Sequence, residues 1–323
     1  MLHLVNGEST ALLMKNAHVP GIIESADEIL MEGPARNRLA KRQDWVFRAE
    51  QLETYLEIPR DQYMAAVQRR TELLERALLH DEVVLWFEED VFCQINYMQL
   101  LSWLGGHTLK LEQFTYVCPP SERLGELSPA RLDQLFKERK PVTAALIQLA
   151  DHAWSAYSDQ DPYKLQSLID HADFIAWPAL RDGLQAHLAR LPDASAGVNR
   201  IEHTLLSAIQ RGASNFDAIF AALSEQLPEY GVPDGAVVRY LVDLAATPAL
   251  ATIATGNGVV KISVGSAKEW SFALTPLGRA VLSGEEDYAE HAEFDRWLGG
   301  MHLAGKPAWR WNSELQQVVT ATP

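Results

Sequence analysis

The stretch Asp81-Glu82-Val83-Val84-Leu85-Trp86-Phe87-Glu88-Glu89-Asp90-Val91-Phe92-Cys93-Gln94 decides the fold class of this chain. Its apolar run, residues 83–87, is continuous and bounded by charged residues. Such a run is typical of a strand that is buried on both faces of a parallel sheet. Three carboxylates follow it, and a helix is predicted after them. Open α/β sheets bind ligands where strands end and helices begin, so this stretch also indicates where to look for a site.

The first 120 residues alternate between strand-like and helix-like patterns. Strands are predicted at residues 2–5, 19–23, 83–87 and 107–117. Helices are predicted at residues 10–16, 38–56 and 61–80, and from the three carboxylates to about residue 104. Ser9 is the predicted N-cap of the first helix. This order predicts a Rossmann-like parallel sheet with right-handed crossovers.

The rest of the chain is predicted to be mainly helical, with short strands near its end. Helices are predicted at residues 201–210, 214–225 and 234–246, strands at 249–254, 259–264 and 270–274, and a last helix from Thr275. The Asn257-Gly258 pair predicts a hairpin turn between the first two of these strands. Three helices, a hairpin and a closing helix match the layout of a winged helix. The aromatic tail predicts a further hairpin that turns at Gly305-Lys306.

These patterns predict an α/β protein with four regions. They are a Rossmann-like domain at residues 1–120, a helical region at 121–197, a winged-helix-like domain at 198–285 and a C-terminal hairpin tail at 286–323.

Composition limits the partners and the compartment. The chain has 323 residues and a formal net charge of −15, which argues against non-specific binding to DNA. The predicted reading helix of the winged-helix-like region, residues 234–246, carries one positive charge, Arg239, and two negative charges, Asp234 and Asp243. DNA phosphates would repel such a helix, so DNA is an unlikely partner. No apolar segment reaches about 18 residues, and no signal-peptide pattern opens the sequence. With only Cys93 and Cys118 and no zinc spacing, we expect a cytoplasmic protein without membrane spans.

Five motifs resemble landmarks of a bacterial family, the domain-of-unknown-function family 1835. They are Val5-Asn6-Gly7-Glu8-Ser9, Leu30-Met31-Glu32-Gly33-Pro34, Val84-Leu85-Trp86-Phe87-Glu88, Leu124-Gly125-Glu126-Leu127-Ser128-Pro129 and Arg296-Trp297-Leu298-Gly299-Gly300-Met301-His302-Leu303. The resemblance covers nearly the whole chain but implies no particular activity. Many members of the family have histidine where this chain has Met31 and Glu89, so chemistry that used those histidines would be absent or different here.

The candidate ligand-binding residues lie where predicted strands end. They are Asn6, Gly7, Glu8, Ser9, Glu32, Glu88 and Gln94. Backbone N–H groups at a helix start can bind phosphate, and carboxylates can hold a divalent metal or act as acid and base. The same residues also fit structural roles, namely a strand-to-helix turn, a rigid Gly-Pro turn and carboxylates that favour a helix dipole. Arg36 and Arg38 are the local cations nearest in sequence to Glu32.

Two functions from different classes remain open. In the first, the α/β domain binds a nucleotide or another small polar ligand at its strand ends, with a divalent metal as an optional cofactor. In the second, the chain is a non-enzymatic regulatory protein whose winged-helix-like region docks a protein partner. Convergence of the polar segments at one sheet edge would favour the first, and a featureless edge with a large apolar patch elsewhere would favour the second. The sequence contains no glycine-rich dinucleotide fingerprint, phosphate-binding Walker loop or nucleophile elbow, so it assigns no reaction.

Overall fold

A computed structural model describes residues 1–107, 110–246, 248–256 and 258–321. The strands are β1 (Leu2–Val5), β2 (Ile22–Ser25), β3 (Gly33–Pro34), β4 (Val83–Trp86), β5 (Phe114–Val117), β6 (Lys140–Pro141), β7 (Ala251–Ala254), β8 (Ser271–Leu274), β9 (Phe294–Gly299), β10 (Met301–Gly305), β11 (Trp309–Asn312) and β12 (Gln317–Thr320).

More residues lie in helices than in strands. They are α1 (Glu8–Asn16), α2 (Arg42–Leu56), α3 (Arg60–Ala77), α4 (Val91–Gly105), α5 (Pro129–Lys137), α6 (Ala144–Tyr157), α7 (Pro162–His171), α8 (Pro178–Leu188), α9 (Arg200–Gln210), α10 (Phe216–Gln226), α11 (Asp234–Leu244), α12 (Val264–Ala267), α13 (Pro276–Ser283) and α14 (Tyr288–His291). Within the described residues, none of these helices combines the length and the apolar character needed to cross a membrane.

A five-stranded sheet organises the N-terminal part, in the order β2-β1-β4-β5-β6. The first four strands are parallel, and β6 runs antiparallel to β5. All four residues of β4 are buried, because apolar layers cover both faces of the sheet. Val84 and Trp86 belong to the core on one face, and Val83 and Leu85 to the larger core on the other. The predictions of a mixed α/β fold, of a mainly parallel sheet and of a strand from Val83 that is buried on both faces are therefore confirmed.

Three predicted boundaries in this part are wrong. The second strand lies at Ile22–Ser25 rather than at residues 19–23, because Gly21, at φ 123°, turns the chain first. The fourth strand is only Phe114–Val117, and a 3-10 turn precedes it; Thr108 and Leu109, within the predicted range 107–117, lie outside the described residues. Ser9 is not an N-cap, since α1 begins at Glu8 and its N-cap is Gly7.

Helix α4 is the central helix, and it packs against α6 and α8. Its polar residues Asn96, Gln99 and Ser102 are buried rather than exposed to solvent. Asn96 donates to the carbonyl oxygen of Glu28, and Gln99 accepts from Arg70. The polar residues of α4 are therefore internal hydrogen-bonding groups, which satisfy loops and helices that pack over the sheet.

The region after residue 198 contains α9, α10 and α11, followed by a two-stranded ribbon and α13. The ribbon pairs β7 with β8, so the predicted strand at residues 259–264 is wrong. Val259 and Val260 are exposed, whereas Phe272 in β8 is buried in the core, which explains why the later run is the partner. Gly258 is described but Asn257 of the predicted turn lies outside the described residues. The last helix starts as predicted, and Thr275 is its N-cap, accepting from the Gly278 N–H.

The tail forms two hairpins, so the predicted single hairpin that turns at Gly305-Lys306 is wrong. The first pairs β9 with β10 and the second pairs β11 with β12. The first turns at Gly299-Gly300, where Gly299 has φ 62° and a Cβ on Gly300 would lie 2.2 Å from the backbone of Ser158. Strand β9 also pairs in parallel with β3, so the tail shares a sheet with the loop after β2.

Trp86→Ala is expected to destabilise the protein by about 3–5 kcal/mol, because a fully buried indole leaves a cavity that the sheet cannot close. The substitution also removes the Nε1–H that donates to His3 Nδ1 at 3.0 Å. Urea unfolding measures the loss. The control Leu79→Ala, at a residue that is 85% exposed, should change stability by no more than about 0.5 kcal/mol. A loss below about 1 kcal/mol for Trp86→Ala would contradict the central position of β4.

Candidate functional site

The carboxyl edge of the sheet between β1 and β4 is the candidate site. From β1 the chain moves to β2 on one side, and it later returns to β4 on the other side of β1. Ligands of open α/β sheets bind at such a reversal, outside the carboxyl ends of the strands. Asn6 and Gly7 follow β1 there, and Glu88 to Asp90 follow β4.

Asn6 is held between β1 and α4 by its side-chain amide. Its Nδ2 donates to Cys93 Sγ at 3.0 Å, and its Oδ1 accepts from Asn96 Nδ2 at 2.9 Å. These contacts orient the half-buried amide at the edge of the sheet. One N–H and one lone pair of Asn6 remain for other partners.

Gln94 is fully buried and serves to position its neighbours. Its Nε2 donates to the backbone oxygen of Glu88 at 2.5 Å, and its Oε1 accepts from Trp177 Nε1 at 2.5 Å. Gln94 therefore fixes the turn after β4 and connects it to the segment before α8. Because the side chain is buried and both ends are engaged, we assign it to positioning Glu88 rather than to direct contact with a ligand.

Glu88 is the residue at this edge whose titration fits chemistry near neutral pH. Its half-buried Oε1 accepts from the Leu124 N–H at 2.9 Å. Burial, and then the charge of Asp90, raise the pKa of Glu88 to about 7, although the Leu124 N–H and Arg123 oppose the shift. A carboxyl group with this pKa can both accept and donate a proton at physiological pH.

The carboxylates that flank Glu88 have structural partners. Asp90 is the N-cap of α4 and accepts from the Cys93 N–H at 2.8 Å. Glu89 Oε2 accepts from the Ser121 N–H at 2.9 Å. Glu88 and Glu89 therefore hold the loop that follows β5 over this edge of the sheet, and Asp90 stabilises the helix start.

The start of α1 forms the opposite wall. Gly7 has φ 125°, a conformation that side chains disfavour, and its N–H donates to Ser25 Oγ at 3.2 Å. Ser25 in turn donates to Asp27. No side chain caps α1 in the described structure, and Glu8 and Ser9 in its first turn are exposed. The first N–H groups of this helix thus have no side-chain acceptor from the cap position.

Glu32 belongs to a different cluster from Glu88. It is buried, and its Oε1 pairs with Arg190 Nη2 at 2.5 Å. Burial raises the pKa of Glu32, while the charge of Arg190 lowers it. Neither Arg36 nor Arg38, the nearest cations in sequence, pairs with Glu32. Arg36 stacks over the Phe47 ring, and Arg38 pairs with Asp151. Among the described residues, Glu32 and Glu88 make no hydrogen bond or ion pair with a common partner. The two predicted site residues therefore belong to separate clusters.

The structure adds residues to this edge that the sequence analysis missed. Ser25 ends β2 and Asp27 follows it, but the strand was predicted to end at residue 23. Arg123 lies in the loop that Glu88 holds, and it influences the pKa of Glu88. Trp177 reaches Gln94 from beyond the predicted domain boundary at residue 120. Polar residues directly after a strand were the available signal for the first two.

The described residues contain no group of three or more His, Cys, Asp or Glu side chains that could hold a metal ion. No protein-family model matches the chain, and a search of curated proteins finds no match. The resemblance to the domain-of-unknown-function family 1835 therefore stays a prediction.

Glu88→Gln is expected to stabilise the protein relative to the native chain above about pH 7, but not below about pH 5. Between 4.5 and about 7 the folded Glu88 holds a proton that the unfolded chain has lost, so native stability falls as the pH rises through this window. Glutamine keeps the acceptor for Leu124 and does not titrate.

Thermal unfolding of both proteins across this pH range measures the difference. Glu75→Gln, at an exposed position on α3, is the matched control and should follow the native protein. A difference between Glu88→Gln and the native protein that stays constant with pH would show that Glu88 does not titrate in this window.

Proposed function

We propose that this protein binds a nucleotide or another small polar ligand at the carboxyl edge of β1 and β4. The single observation that carries the proposal is Glu88, a half-buried carboxyl group with a raised pKa at the reversal of a parallel sheet. Perturbed carboxyl groups in such crevices are frequent at functional sites. The strand order and the parallel pairing support a Rossmann-like interpretation of residues 1–120.

The start of α1 is the proposed position of an anionic group such as a phosphate. The helix begins directly after β1, and its first N–H groups carry the positive end of the helix dipole. The loop at Leu124–Glu126 packs against this turn, since a Cβ on Gly125 would lie 3.6 Å from Ser9 Oγ. Arg123, which precedes Leu124, lies 3.8 Å from Glu126 and supplies a cation that acts on Glu88.

Glu88 sets the pH dependence of this proposed site. When it is protonated, it adds no charge that repels a phosphate, and its O–H can donate to an acceptor on the ligand. When it is ionised, it repels an anion that lies beside it. The proposal includes no metal, because Asp90 and Glu89 are engaged by backbone N–H groups. The free Cys93 and Cys118 fit a reducing cytoplasm, in which nucleotides are abundant.

A thermal-shift screen with ATP, GTP, CTP and UTP, each with and without Mg²⁺, tests the proposal. We expect at least one nucleotide to raise the melting temperature. At a concentration 100 times its Kd, the ligand should increase the free energy of unfolding by about 2.7 kcal/mol. The shift should be larger at about pH 6 than at about pH 8. In Glu88→Gln the difference between the two pH values should be smaller or reversed, because the amide stays neutral and the remaining pH dependence comes from the terminal phosphate of the nucleotide, whose second pKa is about 6.

The control Glu75→Gln should keep the pH dependence of the native protein. If none of the four nucleotides shifts the melting temperature at millimolar concentration, a nucleotide is excluded. If a nucleotide shifts the native protein and Glu88→Gln with the same pH dependence, the ligand lies elsewhere.

We further propose that the winged-helix-like region, residues 198–285, has a structural role rather than a DNA-reading one. Its third helix, α11, packs against α2 of the N-terminal part. Asp243 accepts from the Tyr55 hydroxyl at 3.1 Å, and the Arg239 guanidinium lies over the Tyr55 ring at 4.7 Å. Two of the three charged residues of this helix, Arg239 and Asp243, are thus engaged inside the protein, where they would not contact bases.

Binding to a random DNA duplex at physiological salt is therefore expected to be weak, with a Kd of about 10⁻⁴ M or poorer. The net charge of −15 and the packing of α11 are the physical reasons. Fluorescence anisotropy with a labelled duplex measures this affinity. Submicromolar binding that weakens steeply with salt would contradict the structural role and indicate that the winged-helix-like region binds DNA.

A further inference from the structure

A cavity of about 780 Å³ lies between α8, the start of α9, the end of α13 and the hairpin of β11 and β12, and it borders the turn after β4 at Glu89. Its volume is within the range of small-molecule sites, which is roughly 300–1,000 Å³. The apolar part of its wall includes Ala186, Ala189 and Val198, and the hairpin contributes Trp311. The proposed nucleotide site uses none of these residues.

Asn199 supplies a hydrogen-bond donor at the wall of this cavity. The side chain is only 1% exposed, and its Oδ1 caps α9 by accepting from the Glu202 N–H at 2.9 Å. Its Nδ2 has no hydrogen-bond partner among the described residues. A buried amide that keeps an unpaired N–H costs free energy, so an acceptor on a ligand would relieve that cost.

The charge of the cavity favours a cation. Its wall carries four carboxylates, one arginine and one histidine; these are Glu89, Asp182, Asp193, Glu229, Arg200 and His203. Arg200 is engaged by Glu229, at 3.0 Å. Asp182 is exposed and has no ion-pair partner among the described residues. A cationic group would therefore be attracted to this wall.

The end of α13 adds to this preference. Its last turn and the following Gly284 form part of the wall. The carbonyl groups at the end of a helix carry partial negative charge and stabilise nearby cations. The carboxylates and the end of α13 therefore both attract a cation. The Asn199 amide is a donor, so its ligand partner must be a hydrogen-bond acceptor.

We propose that this cavity binds a small basic ligand that carries both a protonated amine and a carbonyl oxygen, the chemistry of basic amino acids and their amides. The amine interacts with Asp182 and Glu229, and the carbonyl oxygen accepts from Asn199 Nδ2. The ligand contacts proposed here, Asp182, Glu229 and Asn199, take no part in the proposed nucleotide site, so each proposal is tested by its own variants.

Calorimetric titration of the full chain with lysinamide, cadaverine and glutamate tests this class of ligand. At low ionic strength and about pH 6.5 both amines of lysinamide are largely protonated. We expect lysinamide to bind with a stoichiometry near one and more tightly than cadaverine, which has the two amines but no carbonyl. Glutamate should not bind. Absence of saturable lysinamide binding, or equal binding of glutamate, would overturn the proposal.

Two variants locate the binding in the cavity. Asp182→Asn should weaken the binding of lysinamide and of cadaverine by about two- to five-fold each, as expected for a solvated charge pair. The matched control Asp61→Asn, at an exposed aspartate on α3, should leave both affinities unchanged. Equal effects of the two substitutions would show that the amines respond only to the net charge of the protein, and this would overturn the site.

Asn199→Asp separates the hydrogen bond from the charge. Aspartate keeps the capping acceptor of α9 but has no N–H, so the advantage of lysinamide over cadaverine should disappear even if both bind more tightly. Retention of that advantage would contradict the role of Asn199. If Asn199→Asp does not fold, Asn199→Ser also keeps a cap. Its shorter side chain should reduce the same advantage, and an unchanged ratio would again count against the proposal.

Discussion

The buried ion pair between Arg190 and Glu32 is the interaction on which the rest of the structure depends. Both side chains are almost completely inaccessible to solvent, and removing such charges from water costs several kcal/mol for each ion. Further hydrogen bonds offset part of that cost, while Glu32 Oε2 and Arg190 Nε have no hydrogen-bond partner among the described residues. Arg190 also donates to the backbone oxygen of Met31 at 2.5 Å and to the Tyr240 hydroxyl at 3.0 Å. These contacts force the loop after β2, the end of α8 and helix α11 to meet at one point.

The same requirement recurs at Arg296, which joins the tail to the preceding helices. This buried guanidinium pairs with Glu202 at 2.6 Å and with Asp243 at 3.4 Å. Its strand β9 pairs with β3 next to Glu32. As a result, one hydrophobic core includes residues from Leu2 to Val318, so the sheet, the helical middle and the tail support one another. The regions distinguished by sequence pattern meet through buried charges rather than through a purely apolar interface.

This arrangement separates the polar residues that stabilise the fold from those that remain open to a ligand. Glu32 Oε1 and both ends of the Gln94 amide are engaged by buried internal partners, whereas Glu88 is half-buried and the Leu124 N–H binds only one of its carboxyl oxygens. The raised pKa of Glu88 follows from burial beside Asp90 without a close arginine pair. The wall of the separate cavity is likewise polar because Asn199 must cap α9 there. In both places, a side chain that stabilises the fold also borders a candidate site.

The sequence by itself determined the local structure of this protein. The uninterrupted apolar run from Val83, the cap residues Asp90 and Thr275, and the helical spacing of α3 are each decided by neighbours along the chain. Tertiary structure alone decided which strands pair and which charges meet. The partner of Glu32 is 158 residues away, and β9 pairs with β3 across most of the chain. The pKa of Glu88 also depends on a loop that folds back from beyond β5. Local patterns specify backbone conformation, but pairing and burial depend on residues that become neighbours only when the chain folds.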